Sequence, residues 1–256
     1  MTYPALNVER SPRDQLHDVP PWLAQRSVVC LDFDGVFLDS NEFKVRCMRQ
    51  ALADFETARV EEFLAYFRMN FGNSRQQHFR VSHESFADKP LEFEPFYDTY
   101  AGRYARLVSA GYAQLDLTPG CRALLEALNR LETPCHIVTG GDPAQVKEVI
   151  AHKGIAQLIA SVRGAPVKKA VHIRDILAQE SCPPHRAIMF GDGVADCRAA
   201  VETGLDFIFV AGFSFANERH IAEVCPRFHS IRDLTANSLT AARTRAPSID
   251  QAEASS

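Results

Sequence analysis

Two aspartates spaced two residues apart, Asp32 and Asp34 in the segment LDFDGVFLDS, are the strongest chemical signal in the chain. On an extended backbone, side chains at i and i+2 project to the same side, so both carboxylates enter one space. Like charges that close cost free energy unless a cation or a shared proton relieves them. Gly35 then lets the chain turn away sharply. A second acidic pair, Asp192 and Asp196, follows an apolar run in MFGDGVAD. Asp192 leaves that run, and Asp196, four residues on, falls in the first turn of a helix. With Asp32 these residues make an oxygen-rich set that calls on no His or Cys ligand. A few hard oxygen ligands suit Mg²⁺, which keeps several waters and also accepts a phosphate oxygen. In VTGGDP, the Thr139 hydroxyl and the Gly140 and Gly141 amides can face an oxyanion at the start of the next helix. The segment GAPVKK supplies positive charge suited to phosphoryl oxygens, from Lys168 or Lys169. Spacing from Pro166 favours Lys169.

These residues need strands to present them. Four continuous apolar runs, at 27–33, 134–139, 187–191 and 207–211, read as parallel strands buried on both faces. Helical patterns at 121–131, 143–152, 169–179 and 194–203 alternate with them. Strand alternating with helix implies an α/β fold with a Rossmann-like parallel sheet, and such sheets bind ligands at the carboxyl ends of their strands. The candidate residues stand at those ends. Between residues 39 and 121 there is no strand signal. Phe43, Cys47 and Ala51 recur at helical spacing, and stretches 60–67 and 93–110 carry helical patterns. The expected organisation is therefore an irregular N-terminal extension over 1–26, an α/β core over 27–39 and 114–244, and an inserted all-helical cap over 40–113. Residues 245–256 form a polar tail read as disordered.

The bulk properties exclude several classes. The 256 residues, 46% hydrophobic and 23% charged, have ordinary globular composition and suffice for a core with one insert. A formal net charge of -4 exerts no general pull on nucleic acid, so a substrate anion must be held locally. No apolar run approaches the roughly 20 residues of a membrane span, and the N-terminus lacks a secretory pattern. Seven scattered cysteines without a CxxC pair argue against a disulfide framework or zinc site and fit a cytoplasmic setting. His78 and His83, five apart, do not share a helical face and are read as non-ligands. His136, within a strand, is read as a packed core residue. No GxGxxG follows the first strand, which disfavours a dinucleotide site.

The elements DFDGV, VTGGD, GAPVKK and GDGVAD, in this order, resemble the four signatures of the haloacid dehalogenase superfamily. The insert after LDS is similar to the helical cap of its phosphoglycolate-phosphatase-like and β-phosphoglucomutase-like members. The start DFDGV...DSN and the segment FGNSRQQHF resemble cap-bearing phosphatases associated with surface-sugar biosynthesis. The likeness extends from Val28 to Leu234. It implies that Asp32 is a nucleophile forming a phospho-aspartate and that Asp34 is the general acid and then base. It also implies that Asp32, the Asp34 carbonyl, Asp192 and Asp196 hold Mg²⁺, and that Thr139, Gly140 and Lys169 hold the phosphoryl group. Val36 stands where many relatives carry Thr, which leaves the carboxylates untouched. In the cap, Lys44 and Arg75, with Arg46, Ser74 and Arg80 as further candidates, are expected to read the non-reacting part of the substrate. The implied function is Mg²⁺-dependent hydrolysis of a small organic phosphate monoester such as a sugar phosphate. The alternative is phosphotransfer of the β-phosphoglucomutase type, which uses the same core residues. Oligomeric state is left open.

Overall fold

Val28–Leu31 (β1) is fully buried, and in the computed structural model, which describes residues 19–86 and 92–245, it lies inside a seven-stranded sheet. The other strands are Cys135–Val138 (β2), Ser161–Arg163 (β3), Ala187–Gly191 (β4), Asp206–Val210 (β5), Phe228–Ile231 (β6) and Arg243–Arg245 (β7). Their spatial order is β3-β2-β1-β4-β5-β6-β7, and every pairing is parallel except that of β7 with β6. The chain builds outward from β1 to β2 and β3, then returns to lay β4 on the other side of β1. That reversal opens a crevice at the carboxyl ends of β1 and β4. Their register pairs Leu31 with Phe190, so the two strands end in step and the Asp32 amide donates to the Phe190 carbonyl at 2.9 Å.

The insert is helical, as expected. Asn41–Ala51 (α2), Thr57–Met69 (α3), Arg75–Ser85 (α4) and Phe93–Tyr112 (α5) follow a short helix at Pro21–Ala24 (α1). Aromatic residues hold the four together: Phe55 stacks on Phe86 at 4.6 Å between centroids, and Tyr100 lies 4.8 Å from both Phe55 and Phe96. Ser74 starts α4 with a reciprocal cap to Gln77, which fixes Arg75 as the first helical residue. The core adds Cys121–Arg130 (α6), Pro143–His152 (α7), Lys169–Gln179 (α8), Val194–Thr203 (α9), Glu218–Val224 (α10) and Ala236–Thr240 (α11). Buried residues of the insert continue into those under one sheet face, while α8, α9 and α10 cover the other. All seven cysteines are free and buried, and among the described residues no helix is long and apolar enough to cross a membrane.

Three strands lack an apolar signal in the sequence. β3 is only half-buried, β6 reads Phe-His-Ser-Ile, and β7 is Arg-Thr-Arg at an antiparallel edge. Such short, polar strands are specified by their neighbours more than by their own residues. Within the extension expected to be irregular, α1 forms because Pro21 presets the first helical turn and Leu23 is fully buried, with Trp22 stacked on His229 at 5.9 Å. At the other end, Arg245 pairs with Phe228 in β7 instead of opening the tail. Residues 1–18 of the extension and 246–256 of the tail lie outside the described residues.

His78 on α4 is buried, its ring edge-on to Phe67 at 4.6 Å. Burial, reinforced by the Lys44 charge, pushes its imidazole down to about 3. The unfolded chain begins to bind this proton near pH 6.5 and the folded chain only near pH 3. Stability is therefore lost as pH falls through that window, by about 2 kcal/mol at pH 5. Urea unfolding at pH 7 and pH 5 is expected to show a decline that shrinks by about this amount in His78→Leu. An unchanged decline would acquit His78.

Candidate active site

Strand ends bring the first carboxylates together. Asp32 follows β1, Asp192 follows β4, and Asp196 sits in the first turn of α9, where it accepts from the Gly193 amide at 3.2 Å. One oxygen from each of Asp32, Asp192 and Asp196 lies within 4.8 Å of the others, and all three residues are buried. Lys169, the first residue of α8, reaches 2.7 Å from Asp32 Oδ1 and 2.5 Å from Asp196 Oδ1. Lys168 is exposed at the helix cap, whereas Lys169 is buried within the cluster.

Three carboxylates against one ammonium leave this buried site short of positive charge. Burial first, and then the Asp196 charge, raise the Asp32 carboxyl to about 7 despite Lys169. Burial together with the charges of Asp32 and Asp196 holds Asp192 well above the ordinary carboxylate range. Burial alone would lower Lys169, but Asp196 and Asp32 keep its ammonium above the ordinary lysine value. A divalent cation would supply the missing charge, and a donor set made entirely of carboxylates suits a hard ion. Mg²⁺ therefore fits these residues. Close packing enforces the geometry: Gly35 has φ of 75°, and a Cβ there would stand 2.2 Å from Asp192 Oδ2.

Asp34 occupies a different environment in the same crevice. Its Oδ1 accepts from the Ser40 hydroxyl at 2.6 Å and the Tyr112 hydroxyl at 2.5 Å, and its Oδ2 pairs with Lys44 Nζ at 2.5 Å. Burial would raise this carboxyl, yet the Lys44 charge and the three donors hold it below the ordinary range. Lys44, on α2, also lies over the rings of Phe71 and Tyr112 at 5.6 and 5.8 Å. The two acids spaced i, i+2 thus have opposite tendencies, Asp32 toward holding a proton and Asp34 toward losing one.

Thr139 is buried after β2, and its hydroxyl accepts from the Gly141 amide at 3.0 Å. Gly140 is pressed by the insert: a Cβ at this position would come 2.5 Å from the Gly72 carbonyl oxygen. A cavity between insert and core opens onto Asp32 and Asp34 and is lined by Lys44, Arg75, Gly140 and Gln145 among others. Arg75 Nη2 donates to Gln145 Oε1 at 3.2 Å across the seam, and its guanidinium lies 5.5 Å from the Tyr104 ring centre. Among the described residues no carboxylate comes within ion-pair distance of Arg75. Arg46, Ser74 and Arg80 do not line this cavity. Arg46 lies over Phe43, Arg80 over Phe93, and Ser74 caps α4. His136 packs in the core with Nδ1 2.8 Å from the Ser161 hydroxyl, and the described metal-capable cluster contains no histidine. Sequence reasoning missed Ser40, Asn41, Tyr112 and Gln145. Ser40 and Asn41 belong to the DSN segment and carried a faint signal, whereas Tyr112 and Gln145 carried none.

The profile of the family described as haloacid dehalogenase-like hydrolase matches residues 29–210. A phosphoserine phosphatase of Mycobacterium tuberculosis is 26% identical over 206 residues, which cover 74% of this chain but only 45% of that protein. Among solved structures, a predicted phosphoglycolate phosphatase from Haemophilus somnus superposes with a TM-score of 0.69 at 17% identity, covering 82% of this chain and 95% of its own. CbbY from Rhodobacter sphaeroides in complex with phosphate gives a TM-score of 0.57 at 19% identity, covering 75% and 90%. At these identities the structural likenesses establish the fold.

Proposed function

The chain belongs to the haloacid dehalogenase-like hydrolase family, and from that premise we propose that it is a Mg²⁺-dependent phosphatase acting on a small organic phosphate monoester, such as a sugar phosphate, through a phospho-aspartate. The observation that carries this reading is the meeting of Asp32, Asp192, Asp196 and Lys169 within one buried cluster beneath the cavity.

In this reading an oxygen of Asp32 bonds to phosphorus as the ester P–O bond breaks. Asp34 gives a proton to the departing oxygen and later takes one from the water that cleaves the acyl phosphate, returning Asp32 to its carboxylate. Lys169, Thr139 and the Gly140 amide hold the phosphoryl oxygens. Asp32, the Asp34 carbonyl, Asp192 and Asp196 would hold Mg²⁺, which when bound supplies charge neutralisation and alignment of the phosphoryl group. Lys44 connects chemistry to substrate choice. An anionic group on the substrate draws it away from Asp34, and that carboxylate then takes up the proton it must donate. Arg75, which meets the neutral Gln145 side chain and the Tyr104 ring, completes a cationic wall for the non-reacting part of the substrate. The insert acts as a cap that keeps bulk water from the acyl phosphate.

Phosphate release from a panel of phosphorylated sugars, polyols and short acids tests the proposal, with Mg²⁺ and with EDTA. Chelation is expected to abolish turnover. Arg75→Ala is expected to raise KM for the preferred substrate by about tenfold or more, the value of one charged hydrogen bond, and to leave KM for p-nitrophenyl phosphate nearly unchanged. Equal effects on both substrates would remove Arg75 from substrate recognition. Formation of an isomeric phosphate without free phosphate would favour the phosphotransfer alternative, and no reaction with any ester would defeat the proposal.

A further inference from the structure

Asn41 is the first residue of α2, where the insert begins, yet its side chain reaches into the core. Its Nδ2 donates to Asp192 Oδ2 at 2.6 Å and to the Phe213 carbonyl, in the loop after β5, at 2.8 Å. A carboxylate and a carbonyl only accept, so the amino group must face them and the amide orientation follows from its partners. The carbonyl oxygen, Oδ1, therefore points elsewhere. It is buried and has no hydrogen-bond partner among the described residues.

We infer that Asn41 is a positioning residue of the cation site. Its amino group orients Asp192 as a ligand. The inference rests on the reading of Asp192 as a ligand. Asp192 is confined from one side by the Gly35 backbone, where no Cβ could fit, and is fixed from another by Asn41. A ligating carboxylate held this way presents its remaining oxygen without first having to be ordered. Because Asn41 opens the insert while Asp192 ends β4, the same amide ties cation occupancy to the seating of the insert. The two equilibria must then be coupled reciprocally.

The test is calorimetric titration of MgCl2 into chelator-stripped protein, with no substrate and no turnover. Asn41→Ala is expected to bind Mg²⁺ about 10–100-fold more weakly than the parent, the usual loss when a supporting hydrogen bond to a ligand is removed. Its unfolding in EDTA is expected to stay cooperative, since the variant also removes an unsatisfied buried oxygen. Asn41→Thr, which suits a helix start and lacks the amide, is expected to show the same loss and serves if the alanine variant does not fold. Affinity within threefold of the parent in a folded variant would overturn the inference and leave the proposed function standing. A parent protein that does not bind Mg²⁺ would overturn both.

Discussion

Asp32→Asn is expected to lower phosphate release by about 10⁴-fold or more, the scale seen when a covalent nucleophile is removed from a set of residues that act together. The amide is nearly isosteric and removes one of three crowded carboxylates, while Lys169 keeps Asp196 as a partner at 2.5 Å. Folding should therefore survive, and the loss should appear in kcat with cooperative unfolding preserved. Rapid quenching of the parent during turnover, followed by mass spectrometry, should find a phosphoryl adduct on the peptide containing Asp32 and none in the variant. Turnover within tenfold of the parent would exclude Asp32 as the nucleophile.

Lys169→Met is expected to have the largest effect on stability. Lys169 is the only cation paired with Asp32 or Asp196 among the described residues, and its removal leaves buried carboxylates facing one another. Breaking a buried pair from one side costs about 3–5 kcal/mol, because the remaining charge has neither water nor partner. In EDTA, urea unfolding of the variant should show a loss approaching this size that grows as pH rises and the carboxylates lose their protons. Adding Mg²⁺ should restore more stability to the variant than to the parent, since a divalent ion replaces the missing charge. Activity should fall as well, because the ammonium proposed to hold the phosphoryl oxygens is gone. A variant as stable as the parent in EDTA would show that the carboxylates are relieved by some other means.

The acids and the strands that carry them were legible in the sequence because both signals are local. Asp32 and Asp34 stand two apart at the end of a continuous apolar run, and Asp192 ends another. Burial of a strand on both faces demands such runs, and the sheet architecture places their carboxyl ends together. The helical insert was readable for a similar reason, since helical periodicity repeats within a few residues. Pairing across long separations was not. Tyr112 lies 78 residues from Asp34, and Asn41 lies 151 residues from Asp192, so no window of sequence contains either contact. The two lysines of GAPVKK are equivalent as letters, and only the burial of Lys169 against the exposure of Lys168 separates them. Neighbours also divide Asp32 from Asp34: burial raises both carboxyls, but the Asp196 charge adds to it at Asp32, whereas Lys44, Ser40 and Tyr112 overcome it at Asp34. Chain order determined which acids stand at strand ends. Folding alone decided what surrounds each of them, because charge and desolvation act through space and take no account of sequence separation.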